Sequence, residues 1–233
     1  MPILFYGDPH KRWDPLFEAV RAHRPEHVVL MGDMELDRPL RDVVAPVTEA
    51  GARTWWIHGN HDAHTAEMWS NLFEGLPEGE LNERSVRMEC ADGAATVAGL
   101  GGHYRGKVWY PREGGEAPVH ASRAEFLLRH GKGGRFRGGM PLGQRQSIFP
   151  DMHASLAALR GVDILVAHEA PLSMPDRTSM GFGAVDDLAR DMGVRLVLHG
   201  HHHFSYLGAT RDGIPVRGVG LAEAFLLSPG DLP

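Results

Sequence analysis

Apolar residues along the chain gather in short runs that stop abruptly at polar ones. ILFYGDPH begins with four apolar residues (3–6) and breaks at Gly7-Asp8, the mark of a buried strand running into a loop. Asp14 and Pro15 then read as an N-cap and first helical position, with Leu16, Phe17 and Val20 at helical spacing. HVVLMGDM (27–34) halts at Gly32-Asp33, and a helical stretch opened by Pro39 runs to Gly51 with a kink expected at Pro46. TWWIHGNHD (54–62) is a third such run, followed by a helical pattern to about residue 73.

The second half continues the alternation. VRMEC (86–90) and ATVAGLGG (95–102) predict strands, 121–131 a helix, and Pro150-Asp151 the start of another. DILVAHEAP (163–171) predicts a strand stopping at His168; a helix over 185–192 leads into RLVLHGHHH, and FSYLGA, IPVRGVG and AEAFLLS predict short antiparallel strands. Such alternation implies βαβ units and a largely parallel, buried sheet. Five runs end in Asp8/His10, Asp33, Asn60/His61, His168 and His201/His203. Ligands bind at the carboxyl ends of strands in parallel α/β sheets, so these five termini mark a candidate site.

Composition narrows the class. With 233 residues, 42% hydrophobic and 23% charged, the chain suits one globular domain over 1–233. No apolar stretch reaches the roughly 20 residues of a membrane helix, and MPILFYGDPH lacks the regions of a signal peptide. A cytoplasmic protein with no membrane partner is expected. The single cysteine, Cys90, forms no internal disulfide and reads as a small buried hydrophobe. The net charge of -6 disfavours wholesale nucleic-acid binding, yet residues 103–150 carry nine Lys/Arg against three Glu. This basic, Gly/Arg-rich insertion is either a solvated surface segment or an attractor of anionic substrate.

Oxygen and imidazole donors at the strand ends suit Mn²⁺, Fe, Zn²⁺ or Ni²⁺. The ordered blocks Asp8-Pro9-His10, Gly32-Asp33, Gly59-Asn60-His61-Asp62, His168 and Gly200-His201-His202-His203 resemble the five signature blocks of the calcineurin-like metallophosphoesterases. That resemblance implies a four-layer αββα sandwich of two mixed β-sheets flanked by helices. It also implies two divalent transition-metal ions, Mn favoured among Mn, Fe, Zn and Ni. One ion takes Asp8, His10, Asp33 and His203 and the other Asp33, Asn60, His168 and His201, with Asp33 bridging. Two such ions hold and deprotonate a bridging water for in-line attack on phosphorus. His61, in the family, protonates the leaving oxygen, a duty suited to an imidazole; Asp62 and Asp37 both stand as candidates to orient it.

Three function classes follow: a phosphomonoesterase acting on a phosphorylated small molecule or peptide, a phosphodiesterase acting on cyclic nucleotides or nucleic acid, and a non-catalytic metal scaffold. The monoesterase is preferred: the basic insertion mildly favours the diesterase, but no nucleic-acid-binding motif is present, and Gly-Asp-Met-Glu-Leu-Asp-Arg-Pro (32–39) departs from the phosphoprotein phosphatase pattern, which sets the chain apart from that subgroup. Arg38 reads as solvated. His103 and Arg105 follow a strand and lean toward the site, Arg105 as a substrate contact, with Trp109 and Tyr110 as a wall. In the histidine cluster His201 and His203 share one side of an extended turn freed by Gly200 while His202 points away, with at most a role behind the ligands or facing substrate; His199 reads as structural, and His23, His27, His58, His64, His120, His130 and His153 as surface or hydrogen-bonded structural residues.

Overall fold

The computed structural model describes residues 2–131, 133–172 and 180–233; Lys132 of the basic insertion lies outside them. Among the described residues ten strands form two mixed sheets. The first has the order β10 (Ala224–Leu227), β1 (Ile3–Tyr6), β2 (His27–Leu30), β3 (Arg53–Trp56). The second has the order β4 (Ser85–Cys90), β5 (Gly93–Leu100), β6 (Ile164–Ala167), β7 (Leu196–His199), β9 (Pro215–Gly218), β8 (Tyr206–Ala209). β1, β2 and β3 are parallel with Tyr6, Leu30 and Trp56 side by side. β5, β6 and β7 are likewise parallel, aligning Leu100, Ala167 and His199.

Two sheets replace the single one that alternation alone predicts, and the tail is only partly antiparallel. β10 runs antiparallel to β1 and β8 to β9, but β9 inserts beside β7 and runs parallel to it. The helical stretch after Pro39 is also two helices, α2 (Leu40–Val43) and α3 (Ala45–Glu49). Pro46 lacks an N–H and crowds the carbonyl four residues earlier, and Val44 leaves the helix at φ -91°, ψ 12°.

Three apolar interfaces account for four layers. Between the sheets, Phe5, Val29, Met31 and Ile57 meet Val97, Ile164, Val166 and Leu198. Outside the first sheet, Leu4, Tyr6, Val28 and Trp56 pack on Leu16 and Val20 of α1 (Asp14–His23) and on α2 and α3. Outside the second, Leu165, Ala167 and Val197 pack on α4 (Arg123–His130), α5 (Pro150–Ala157) and α6 (Gly183–Met192). β1, β2, β6 and β7 are buried on both faces, which is why they read as unbroken apolar runs.

The basic insertion is a packed cover. Tyr104, Val108, Phe126, Ile148 and Phe149 join the outer core of the second sheet. Its arginines bond to the protein itself: Arg123 to Glu83 and Asp151, Arg129 to Glu125, Arg137 to Glu74, and Arg135 to the Gly131 and Leu127 carbonyls. Arg145 lies 4.7 Å above the Trp69 ring. Cys90 packs against the core between the sheets, and burial pushes its thiol up to about 12. Among the described residues no helix is long and apolar enough to cross a membrane.

Candidate metal centre

The loops leaving β1, β2, β3, β6 and β7 converge on one rim. Asp8, His10, Asp33, His201 and His203 all hold left-handed backbone, with φ of 36°, 40°, 54°, 69° and 61°. This conformation costs an L-residue about 1–2 kcal/mol and persists only where neighbours over-determine it. The neighbours are specific. The Asp8 carboxylate accepts the His201 N–H at 2.9 Å, tying the first block to the last. The Asp62 carboxylate accepts N–H groups from Asp33, Met34, Glu35 and Gly59, tying the second block to the third. Gly200 is not itself left-handed: its role is contact, since a Cβ there would sit 2.5 Å from Asp8 Oδ2. The turn at 201–203 is therefore left-handed at both outer histidines rather than extended.

Ligand atoms of Asp8, His10, Asp33 and His203 lie within 4.8 Å of one another, as do those of Asp33, His168 and His201. His168 Nδ1 is 3.0 Å from the Met31 carbonyl, which only accepts, so Nδ1 carries the proton. Nε2 of the neutral ring then presents a lone pair to Asn60 Oδ1 at 2.9 Å and to Asp33 Oδ2 at 3.4 Å. With Nε2 unprotonated, three acceptors face one another, an arrangement that a cation among them would relieve. His10 shows the same logic: its Nδ1 faces Glu35 Oε1 at 3.2 Å, leaving Nε2 toward His203 Nε2 at 3.1 Å and Asp33 Oδ2 at 3.7 Å. The donor set fits a pair of divalent ions.

The electrostatics agree. Burial opposes a charge on His168, yet Asp33 and Asp8 prevail and push it up to about 10: where no ion neutralises the carboxylates, a proton does. Asp33 is held below the usual carboxylate range by His168 and by the His61 N–H, against its burial. Burial pushes Asp8 up to about 7 and His201 down to about 2, and lowers His203. Neutral imidazoles are the form a metal needs.

His61 stands at the rim, its N–H donated to Asp33 Oδ1 at 2.8 Å. The carboxylate that orients it is neither Asp62 nor Asp37. Asp62 is saturated by backbone N–H groups, and Asp37 faces Lys11 at 3.9 Å. Glu35 takes the place, its Oε1 3.1 Å from His61 Nδ1 and shared with His10. The signal was slight: Glu35 lies two residues beyond Asp33, in the same left-handed turn.

A cleft of about 250 Å³ adjoins His201, lined by His103, Tyr110, Arg112, Glu169, Phe182 and His202 among others. His202 lines the cleft rather than pointing away from the rim, in keeping with the substrate-facing role left open for it. Arg105 donates to the Gly143 carbonyl and lines none of this cleft; Arg112 does, one arginine among several basic residues of the insertion and without a sequence signal of its own. Tyr110 forms part of the wall, whereas Trp109 packs on Tyr104 and His153. Arg38 is exposed. His199 is structural, bonded to the Gly200 carbonyl and to the Tyr206 hydroxyl at 2.5 Å. His58 is buried, its carbonyl accepting the Gly102 N–H at 2.8 Å and its ring packed on Trp69 and Phe73, and burial pushes it down to about 3, keeping it neutral.

Fold, rim and clusters define a metal-dependent phosphoester hydrolase architecture. The calcineurin-like phosphoesterase family model matches residues 1–205, and the chain belongs to that family. It is 33% identical over 227 residues to an uncharacterized protein of Haemophilus influenzae, covering 95% of this chain and 93% of that one. Among solved structures it resembles TT1561 of Thermus thermophilus (TM-score 0.59, 16% identity, 95% of this chain and 89% of that one). It also resembles a dimetal phosphatase from Danio rerio (TM-score 0.56, 13% identity, 95% and 88%).

Proposed function

We propose that the protein is a dinuclear phosphomonoesterase of the cytoplasm, acting on a phosphorylated small molecule or peptide with Mn²⁺ as the favoured ion. The observation that carries this reading is the double convergence on Asp33: Asp8, His10 and His203 on one side, Asn60, His168 and His201 on the other. These residues would hold two divalent ions, which would supply Lewis-acid activation of water and neutralisation of phosphoryl charge. The chain's own residues do the rest. Glu35 fixes the His61 ring through Nδ1, leaving Nε2 to give a proton to the departing oxygen. The cleft beside His201 takes the leaving group, and its volume of about 250 Å³ suits one compact group.

The diesterase reading on nucleic acid loses its support with the insertion, whose arginines largely bond to the protein itself. The test is hydrolysis of p-nitrophenyl phosphate against its bis ester after chelation and resupply of Mn²⁺, Ni²⁺, Zn²⁺ or Fe²⁺. Faster turnover of the monoester, highest with Mn²⁺, is expected. Preference for the bis ester overturns the monoesterase assignment, and inactivity on both under every ion overturns the hydrolase.

A further inference from the structure

Beside the two clusters around Asp33 lies a third group of the same tightness. One ligand atom each from Glu169, His201 and His202 lie within 4.8 Å of one another, the spread shown by the clusters described above. Glu169 is 3% exposed. Its Oε1 accepts the Tyr104 N–H at 3.2 Å, while Oε2 is buried and has no hydrogen-bond partner. A buried carboxylate oxygen without a donor is costly, and burial of carboxylates is ordinarily answered by pairing or by a metal. Two imidazoles and one carboxylate make a three-ligand set for a borderline divalent ion, with remaining coordination positions open. The three residues all line the cleft, so the open positions face the space assigned to the leaving group.

We infer that Glu169, His201 and His202 form a further divalent-cation position, separate from the pair around Asp33. The inference depends on the dinuclear reading only through His201, which belongs to both sets. A neutral imidazole has one lone pair to give, so His201 serves one ion at a time. An ion seated at Glu169 therefore competes with the second position for His201 and obstructs the cleft. The expected behaviour is activation by low Zn²⁺ and inhibition by excess.

The test uses Zn²⁺ alone as the probe, with crystals of the full chain soaked at rising concentration and read by anomalous diffraction. A peak about 2.0–2.3 Å from Glu169 Oε2 and a His202 nitrogen is expected at high Zn²⁺. It disappears in Glu169→Gln, which keeps the oxygen that accepts from Tyr104 and is checked for folding by its melting curve. Peaks around Asp33 persist in that variant. In solution, Glu169→Gln raises the Zn²⁺ concentration giving half inhibition at least tenfold. Occupied Asp33 peaks with nothing between Glu169 and His202 overturn this inference and leave the dinuclear reading standing. A peak at Glu169 with none around Asp33 supports the inference and overturns the dinuclear reading. Equal inhibition of wild type and variant overturns the inhibitory role.

Discussion

Asp62→Asn is the sharpest test of how the rim is held. Asp62 is 2% exposed; its Oδ2 accepts from Asp33 N at 2.9 Å and Gly59 N at 2.8 Å, and its Oδ1 from Met34 N at 2.8 Å and Glu35 N at 3.1 Å. Asparagine offers one oxygen, so its amide NH₂ must face a pair of N–H donors. Each buried donor left without an acceptor costs about 1–3 kcal/mol, giving roughly 2–6 kcal/mol for the pair. That is a large part of a typical stability of about 5–15 kcal/mol. Urea unfolding of the metal-free protein, followed by tryptophan fluorescence, avoids stabilisation by bound ions. The midpoint is expected to fall by about 1–2 M. Asp37→Asn, at an exposed carboxylate 3.9 Å from Lys11, is the control and shifts stability by no more than about 0.5 kcal/mol. If Asp62→Asn costs as little as the control, the loops are held by something other than this carboxylate and the reasoning fails.

Four further outcomes follow from the geometry. His61→Asn leaves Mn²⁺ content, read by elemental analysis, near the wild-type value while kcat falls about 10²–10⁴-fold; retention of kcat removes His61 from the mechanism. Glu35→Gln, which weakens the hold on both His61 and His10, lowers kcat and also loosens metal about 10–100-fold in affinity, as competition with a chelator measures. Gly200→Ala drives a Cβ to 2.5 Å from Asp8 Oδ2 and is expected to lose metal while retaining its far-ultraviolet circular dichroism. His27 accepts from Trp55 Nε1 at 3.1 Å and donates from Nε2 to the Glu89 carbonyl at 3.0 Å, so burial holds it neutral and lowers its pKa below 6.5. Its contribution is fully present above pH 6.5 and is lost as pH falls through the lower folded value; stability curves of wild type and His27→Gln therefore converge on acidification, and parallel curves would refute the assignment.

Much of the fold was legible because burial on both faces writes itself as an unbroken apolar run, as in ILFY, HVVL and ILVA. The same fact hid the division into two sheets. A strand sandwiched between helices and a sheet reads like one sandwiched between two layers of helices, so only the family resemblance carried the second sheet. The break at Val44 and the insertion of β9 beside β7 were likewise invisible, being set by Pro46 crowding and by strand order rather than by local pattern. The residues that gather in the candidate clusters were legible for a different reason: each follows an apolar run and offers an oxygen or nitrogen lone pair.

What pattern could not supply was the choice among carboxylates. Nearness in sequence favoured Asp62 as the partner of His61, but a carboxylate accepting four backbone N–H groups has no lone pair left to orient a ring. Three of those bonds, from Asp33, Met34 and Glu35, also bend the second block, and the bend carries Glu35 at φ 53° to the point where one oxygen lies 3.1 Å from His61 Nδ1 and 3.2 Å from His10 Nδ1. Asp62 therefore acts on His61 at one remove, by shaping the loop that places Glu35. The two acidic residues divide the work by reach and burial: the short, enclosed one holds backbone, and the longer, half-buried one holds imidazoles. Because Glu35 touches His10 and His61 together, a single side chain sets the positions of a candidate ligand and of the proposed proton donor.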